Sequence, residues 1–328
     1  MPFEPLRYIG GGFGPLQSAR MNDDDSDLFE HLVIARSEDD VNIPEALAIF
    51  DNTRLRAPTG EELFPREPRV GRCRICGATS ELTREHIPPR SSQHEDRARA
   101  PTFADWFRRD DLDLPEAGPV IQGGVSGYVL CANCNNVTGT RYGREYQVWA
   151  YGAAAVLTSL GVSLEELDRK DQYAYLNLRL VDVYPGRFIR QVLSMLLSVS
   201  GSHELAERHP ELPQLVLAGA PVQLPAPLSL FMTLYAGPVV RFAGGPWGQA
   251  IYQSGSNMWT WCIEIAFPPF AFQLILDGDT DTASGVDISK FSSLDPDESQ
   301  EFNIEGLMVG FGHTPYPLDY RPRGMFEV

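Results

Sequence analysis

The 328-residue chain is 43% hydrophobic, enough for a packed core, and its length fits two domains better than one. Its formal net charge of −17 excludes a grip on nucleic acid by the surface as a whole, because a polyanion needs positive potential and a globally acidic protein repels it at long range. Windows of about 18 apolar residues are absent, which argues against a membrane-spanning helix; the longest candidate, Cys262 to Leu276, is broken by Glu264, Pro268 and Pro269. Taken from the N-terminus, residues 1–68 form an acidic arm containing Asp23-Asp24-Asp25 and Glu38-Asp39-Asp40, with one short helix expected over Ile43–Phe50. Gly10-Gly11-Gly12-Phe13-Gly14 lacks the lysine and spacing of a phosphate-binding loop and reads as a flexible turn. The opening residues have no basic start followed by an apolar run, so no secretory signal is read and a cytoplasmic location is expected.

Charge is unevenly spread along the next segment. From Arg69 to Tyr146 eleven arginines face ten carboxylates, leaving the remainder of the chain at −18. All the basic residues there are arginines, the side chain suited to bidentate phosphate contact. The whole chain has only two lysines, Lys170 and Lys290, so a general bias toward arginine explains the choice of residue better than it explains the clustering.

Four of the five cysteines fall into two identical pairs, Cys73-Arg74-Ile75-Cys76 and Cys131-Ala132-Asn133-Cys134. Two such knuckles allow four thiolates to converge on one structural zinc ion. The 54 residues between them exceed compact zinc-ribbon spacing, so an insertion must loop out, here Ser91 to Gln122. Disulfides do not suit a chain without an export signal, and a thioredoxin-like reading would use only one pair. Zinc held by four thiolates has no open position and cannot itself catalyse. Cys262, inside the apolar run Trp259 to Phe267, reads as a core residue.

After the first knuckle comes Leu82-Thr83-Arg84-Glu85-His86-Ile87-Pro88-Pro89-Arg90, and directly after the second comes Asn135-Asn136, then Gly139 and the stretch Arg141 to Glu145. This order of knuckle, acidic-His-x-x-Pro, knuckle and asparagine resembles the HNH endonucleases with a treble-clef, ββα-metal fold, over about 75 residues. The resemblance implies hydrolysis of a phosphodiester, with His86 as the base that activates water. It implies Glu85 and Asn135 as ligands of a catalytic Mg2+ or Mn2+, since oxygen donors favour those ions over a second zinc. Arg84, Arg90, Arg141 and Arg144 are the candidate phosphate contacts. The stretch Val125 to Leu130 lacks the family's middle asparagine, so Ser126 or a backbone carbonyl must orient the histidine. His94, Glu95 or Asp96 in the insertion are further candidates for the metal shell.

Beyond the second knuckle, helices are expected over Tyr146–Leu160 and Arg187–Val199. In the latter, Ile189, Val192, Leu193, Leu196 and Leu197 form an apolar face, with Arg190, Gln191, Ser194 and Ser198 on the other. From Leu228 onward, aromatic and β-branched runs separated by Gly, Pro and Asn predict an antiparallel sheet. Asp277-Gly278-Asp279-Thr280-Asp281 fails as a calcium loop at the required glycine, where Thr282 stands, and at the bidentate glutamate, where Ile288 stands.

The chain is therefore expected to be α+β, with the arm over 1–68, a zinc-knuckle nuclease module over 69–150, and a helical then β-rich half over 151–328 for oligomerisation, partner binding or sensing. The expected activity is metal-dependent cleavage of DNA, and the resemblance suggests an effector of bacterial anti-phage defence. Competing expectations are a non-catalytic zinc module that binds protein or nucleic acid, and a nuclease acting on RNA or single strands.

Overall fold

The computed structural model describes residues 64–92, 98–99, 120–121, 125–159, 174–200, 203–234, 241–242, 247–253, 256–267, 269–278, 280, 283 and 285–309. The acidic runs of the arm, the helix expected over Ile43–Phe50, and His94, Glu95 and Asp96 lie outside the described residues.

Strand β1 (Val70–Arg72) pairs antiparallel with β2 (Thr79–His86), the first knuckle forming the turn between them. A short ladder within the insertion joins β3 (Ala98–Arg99) to β4 (Val120–Ile121). Strand β5 (Ser126–Cys131) then returns along β2, giving a three-stranded sheet in the order β1-β2-β5. The chain passes straight from β5 into a helical rod: α1 (Ala132–Thr138), a π turn (Gly139–Gly143) and α2 (Arg144–Ser159). The rod crosses position 150 without a break. Cys131 is its N-cap, with an extended backbone and a sulfur that accepts the Cys134 N–H at 3.5 Å.

There follow β6 (Ala174–Val183), α3 (Pro185–Val199), α4 (Glu204–Arg208), α5 (Glu211–Leu217), β7 (Ser229–Leu234), β8 (Arg241–Phe242), β9 (Trp247–Gln253), β10 (Ser256–Phe267), β11 (Phe270–Gly278), β12 (Val286–Asp287) and β13 (Gln300–Val309). These strands build one eight-stranded sheet in the order β6-β13-β7-β11-β10-β8, with β12 added on β7 and β9 on β10. Mixed helix and sheet is thus the observed class, and the strands from Leu228 onward lie in the aromatic and β-branched runs. Strands β6 and β13 were not expected from the sequence. None of the described helices is long and apolar enough to cross a membrane.

Period-two alternation divides the β10–β11 hairpin cleanly. Ile263, Ile265 and Phe267 stand opposite Leu274, Phe272 and Phe270, and all six belong to the main core. Against that sheet face lies α3, whose Phe188 stacks on Trp149 at 4.1 Å and on Tyr146 at 5.9 Å, with Phe270 and Phe272 each 5.8 Å away. The core is continuous from Phe64 to Ile304 and includes Cys73 and Cys134.

Helix α3 carries the apolar face expected of it and is buried on nearly every side. Its polar stripe is buried too: Arg190, Gln191, Ser194 and Ser198 are all covered, and among the described residues Gln191 Oε1, Ser194 Oγ and Ser198 Oγ have no hydrogen-bond partner. Periodicity identifies the apolar stripe but cannot say whether the opposite stripe meets solvent or other elements. Here it meets the rod, α5 and the 3-10 turn Ser289–Ser293, which all pack on the helix.

The other face of the hairpin is also buried, and it sets one polar pair among apolar neighbours. Gln273 donates to Glu264 Oε1 at 2.5 Å and to the Cys262 sulfur at 3.5 Å, while Glu264 Oε2 has no partner. Cys262 is fully buried, as its apolar setting suggested. Burial pushes the Glu264 carboxyl up to about 8. The folded state therefore holds a proton that the unfolded state releases from about pH 4.3 upward, and stability must fall as pH rises through that window to about 8. The slope from one such group is about 1.4 kcal/mol per pH unit. Glu264→Gln, neutral and of the same shape, is expected to flatten the urea-unfolding free energy between pH 5 and 8 by about that amount. An unchanged slope would show that Glu264 is ionised in the folded protein.

Candidate metal centre

The cluster of four cysteines is assembled by turn geometry and a helix cap. In the first knuckle the Cys73 N–H donates to Ala78 O and the Gly77 N–H to Cys73 O, both at 2.9 Å. Gly77 takes φ +73°, which favours glycine. The second knuckle uses the end of β5 and the first turn of α1, so both pairs face inward from rigid elements. All four sulfur atoms lie within 4.8 Å of one another, and Cys76 and Cys131 are 3.7 Å apart. Zinc–sulfur bonds of about 2.3 Å in a tetrahedron place sulfurs about 3.8 Å apart, so the donor set fits a metal such as zinc.

The electrostatics point the same way. Cys73 is pulled down to about 4, chiefly by the hydrogen bond from Cys134, while Cys134 is pushed far up by sharing that bond. One proton held between closely packed sulfurs is what a bound cation displaces. Cys73 and Cys134 are fully buried, whereas Cys76 is exposed. Beside Cys76 opens a pocket of about 290 Å3 with walls from Ile75, Ala206, Pro210 and Leu217 and a polar rim from His203.

The first knuckle is gripped from the second half of the chain. Arg74 is buried, its guanidinium donating to Ser198 O and lying 5.9 Å from the Phe64 ring. His203 Nδ1 is 3.2 Å from Arg74 O, and Arg72 pairs with Glu207. Sequence reasoning missed Arg74 and His203. Arg74 lies inside the knuckle and looked like one more surface base, and His203 has no neighbouring motif.

The residues singled out beside the knuckles divide between two faces of β2. Glu85 is buried and stands opposite Gly127; His86 is half-buried and stands opposite Ser126. Adjacent residues on a strand point to opposite faces, so Glu85 shares its face with Thr83, and His86 shares the other with Arg84. Phe64 closes the sheet over Gly127, where a Cβ would come within 2.7 Å of Phe64 Cα. Under that cover, burial pushes the Glu85 carboxyl up to about 8.

Asn135 reaches the Glu85 side of the sheet. Its Nδ2 donates to Thr83 Oγ1 at 2.9 Å and to Arg84 O at 3.0 Å, next to the bulge where β5 inserts Val129 into the register. Thr83 Oγ1 in turn donates to Leu130 O at 2.9 Å. The amide nitrogen thus ties the helix start to the strand that carries Glu85 and His86, and Oδ1 is the atom suited to a cation.

Ser126 accepts from Arg84 Nε at 3.1 Å and Nη2 at 2.9 Å, so Arg84 is held along the strand face beside His86. Arg90 is exposed in the 3-10 turn Arg90–Ser92, and Arg144 is exposed where α2 begins. Arg141 sits apart from these, its guanidinium 5.7 Å from the Tyr142 ring and against Gly219. Among the described residues, the four cysteines are the only group of three or more His, Cys, Asp or Glu whose ligand atoms converge.

Comparison with known proteins finds no family model, curated protein or solved structure that matches this chain.

Proposed function

We propose that the chain is a metal-dependent endonuclease of the HNH kind that hydrolyses DNA, built around a structural zinc in a treble-clef module. The observation that supports this reading is that Glu85 and His86 end the strand to which Asn135 is tied through Thr83 Oγ1 and Arg84 O, next to the four-cysteine cluster. A purely structural knuckle has no need of that combination.

Glu85 and the Oδ1 of Asn135 form an oxygen donor set of the type that takes Mg2+ or Mn2+. When bound, such an ion supplies positive charge for the phosphoryl oxygens and the departing 3′ oxygen. His86 takes a proton from the attacking water at a ring nitrogen, the water oxygen bonds to phosphorus as the bond to the 3′ oxygen breaks, and that oxygen takes a proton from solvent. Ser126, held by Arg84, stands opposite His86 in place of the family's middle asparagine. Arg84, Arg90, Arg144 and, farther along the rod, Arg141 contact phosphates of the strand. The β-rich half serves as an oligomer or partner surface, and a role in bacterial anti-phage defence fits an enzyme whose acidic bulk restrains it.

A second reading is a non-catalytic zinc module, and RNA or single strands are rival substrates. The commitment of the Asn135 amide nitrogen to β2 favours the structural alternative. Incubation of the purified chain with plasmid, single-stranded DNA and RNA, in Mg2+, Mn2+ or EDTA, separates these. Cutting that needs added divalent metal at constant zinc content is expected, fastest on DNA. Absence of cutting in every metal, with zinc present, would favour the binding module.

A further inference from the structure

Two guanidinium groups reach neighbouring residues of one exposed turn of the chain. Arg190 is fully buried on α3, its Nη1 donating to Gly186 O at 2.6 Å and its Nη2 to Ala220 O at 2.7 Å. Among the described residues its Nε has no acceptor. Arg141 reaches the preceding residue of the same turn, its Nη2 and Nη1 standing 3.5 and 3.6 Å from where a Cβ on Gly219 would be. Gly219 and Ala220 are exposed, so Arg190 lies directly beneath a surface turn.

The charges here do not balance locally. A buried guanidinium is ordinarily matched by a carboxylate. Among the described residues, neither Arg190 nor Arg141 makes an ion pair. Among the described residues, Asp295 and Asp297 act on Arg190, and Asp297 is already taken by Arg187 at 2.6 Å. Tyr142 beside them is neutral because burial raises its hydroxyl. Tyr142 spends its hydroxyl proton on Val216 O at 2.9 Å. Arg141 owes its position to the π turn, a feature that recurs at functional sites because the added residue re-aims a side chain.

We propose that Arg141 and Arg190, with the Gly219–Ala220 turn, form a binding site for a phosphate group. The ligand chemistry is a phosphate oxygen that accepts from Arg190 Nε and from the Arg141 fork, entering as the turn lifts. The site is separate from the four-cysteine cluster; where its phosphate belongs to a strand, it deepens the phosphate contact already given to Arg141 and rests on the nuclease reading. Its phosphate is either free or part of a nucleic-acid strand.

The test is a titration of the full zinc-loaded chain with sodium phosphate against sodium chloride of equal ionic strength, followed by thermal midpoint and by the arginine Nε–H signals of labelled protein. Phosphate is expected to raise the midpoint saturably, by about 3 °C or more, and to shift one buried Nε–H resonance. Arg141→Gln, which removes a side chain with no hydrogen bond to lose, should keep the midpoint in chloride and abolish the rise. Arg190→Gln is the companion variant, with Arg141→Gln deciding the matter should that chain fail to fold. A 5′-phosphorylated dithymidine that binds at least tenfold tighter than phosphate assigns the site to a strand, and equal binding assigns it to the free ion. An equal rise in chloride, or a rise in Arg141→Gln as large as in the wild type, would overturn the proposal.

Discussion

Cys134→Ala, or removal of zinc by a chelator, is expected to unfold the whole described body and not merely to loosen a loop. Structural zinc contributes about 10–16 kcal/mol in isolated knuckle peptides, as much as or more than the roughly 5–15 kcal/mol net stability of a domain. The cluster is not peripheral here. Cys73 and Cys134 sit in the same continuous core as Phe188 and Leu274. The first knuckle also carries Arg74 into a carbonyl of α3 and Arg72 to Glu207 on α4, so its collapse removes anchors of both helices. Wild-type protein should contain one zinc per chain, and the variant should lose metal, helical circular dichroism and its cooperative thermal transition together. A metal-free chain that keeps its helical signal and melts within a few degrees of the wild type would show that the cysteines act as ordinary core residues. Cys262→Ala, outside the cluster, serves as the control that keeps its zinc.

His86→Ala is expected to lower kcat for DNA cleavage by about 10²–10⁴-fold while leaving zinc content and thermal midpoint near wild type. The size follows from losing the proton acceptor for the attacking water. The sparing of the fold follows from position: His86 is half-buried at the end of β2, outside the continuous core. Asn135 makes the informative contrast. Its amide holds Thr83 and Arg84, so Asn135→Ala should reduce stability as well as activity. Cleavage by His86→Ala within about tenfold of wild type would remove the histidine from the chemistry and, with it, the main support for the nuclease reading.

The sequence was most legible where chemistry and spacing coincide. Two C-x-x-C pairs can converge in few ways, and the four sulfurs do converge. The strands after Leu228 were visible because β-branched and aromatic runs are bounded there by Gly, Pro and Asn. Strands β6 and β13 were not read, although Leu176, Leu178 and Leu180 alternate with Asn177 and Arg179; the pattern is cut short where Asp182 takes φ +56° and where the register of β13 shifts between Ile304 and Leu307. The placement of Glu85 and His86 on opposite faces followed from strand alternation once the strand was known. The burial of Glu85 did not, since it depends on Phe64 closing over Gly127 from a distant point in the chain. Arg190 was unreadable for the same reason: a polar stripe has one appearance in sequence whether it meets water or a neighbouring helix.

The π turn at Gly139–Gly143 has a consequence for how the two ends of the rod are phased. An α-helix advances by 100° per residue, and a π turn holds one residue more than that pitch allows. The Asn135 end addresses β2, while the Tyr146 and Trp149 end addresses Phe188 on α3. Both ends keep their partners only because the turn between them absorbs a fixed angular offset. Were the turn to relax into regular α-helix with all its residues kept, one end would rotate by about 100° against the other, and either the strand or the aromatic stack would lose its contact. The turn acts as a setting of relative phase: it carries one residue beyond the α pitch without turning either end away from its partner.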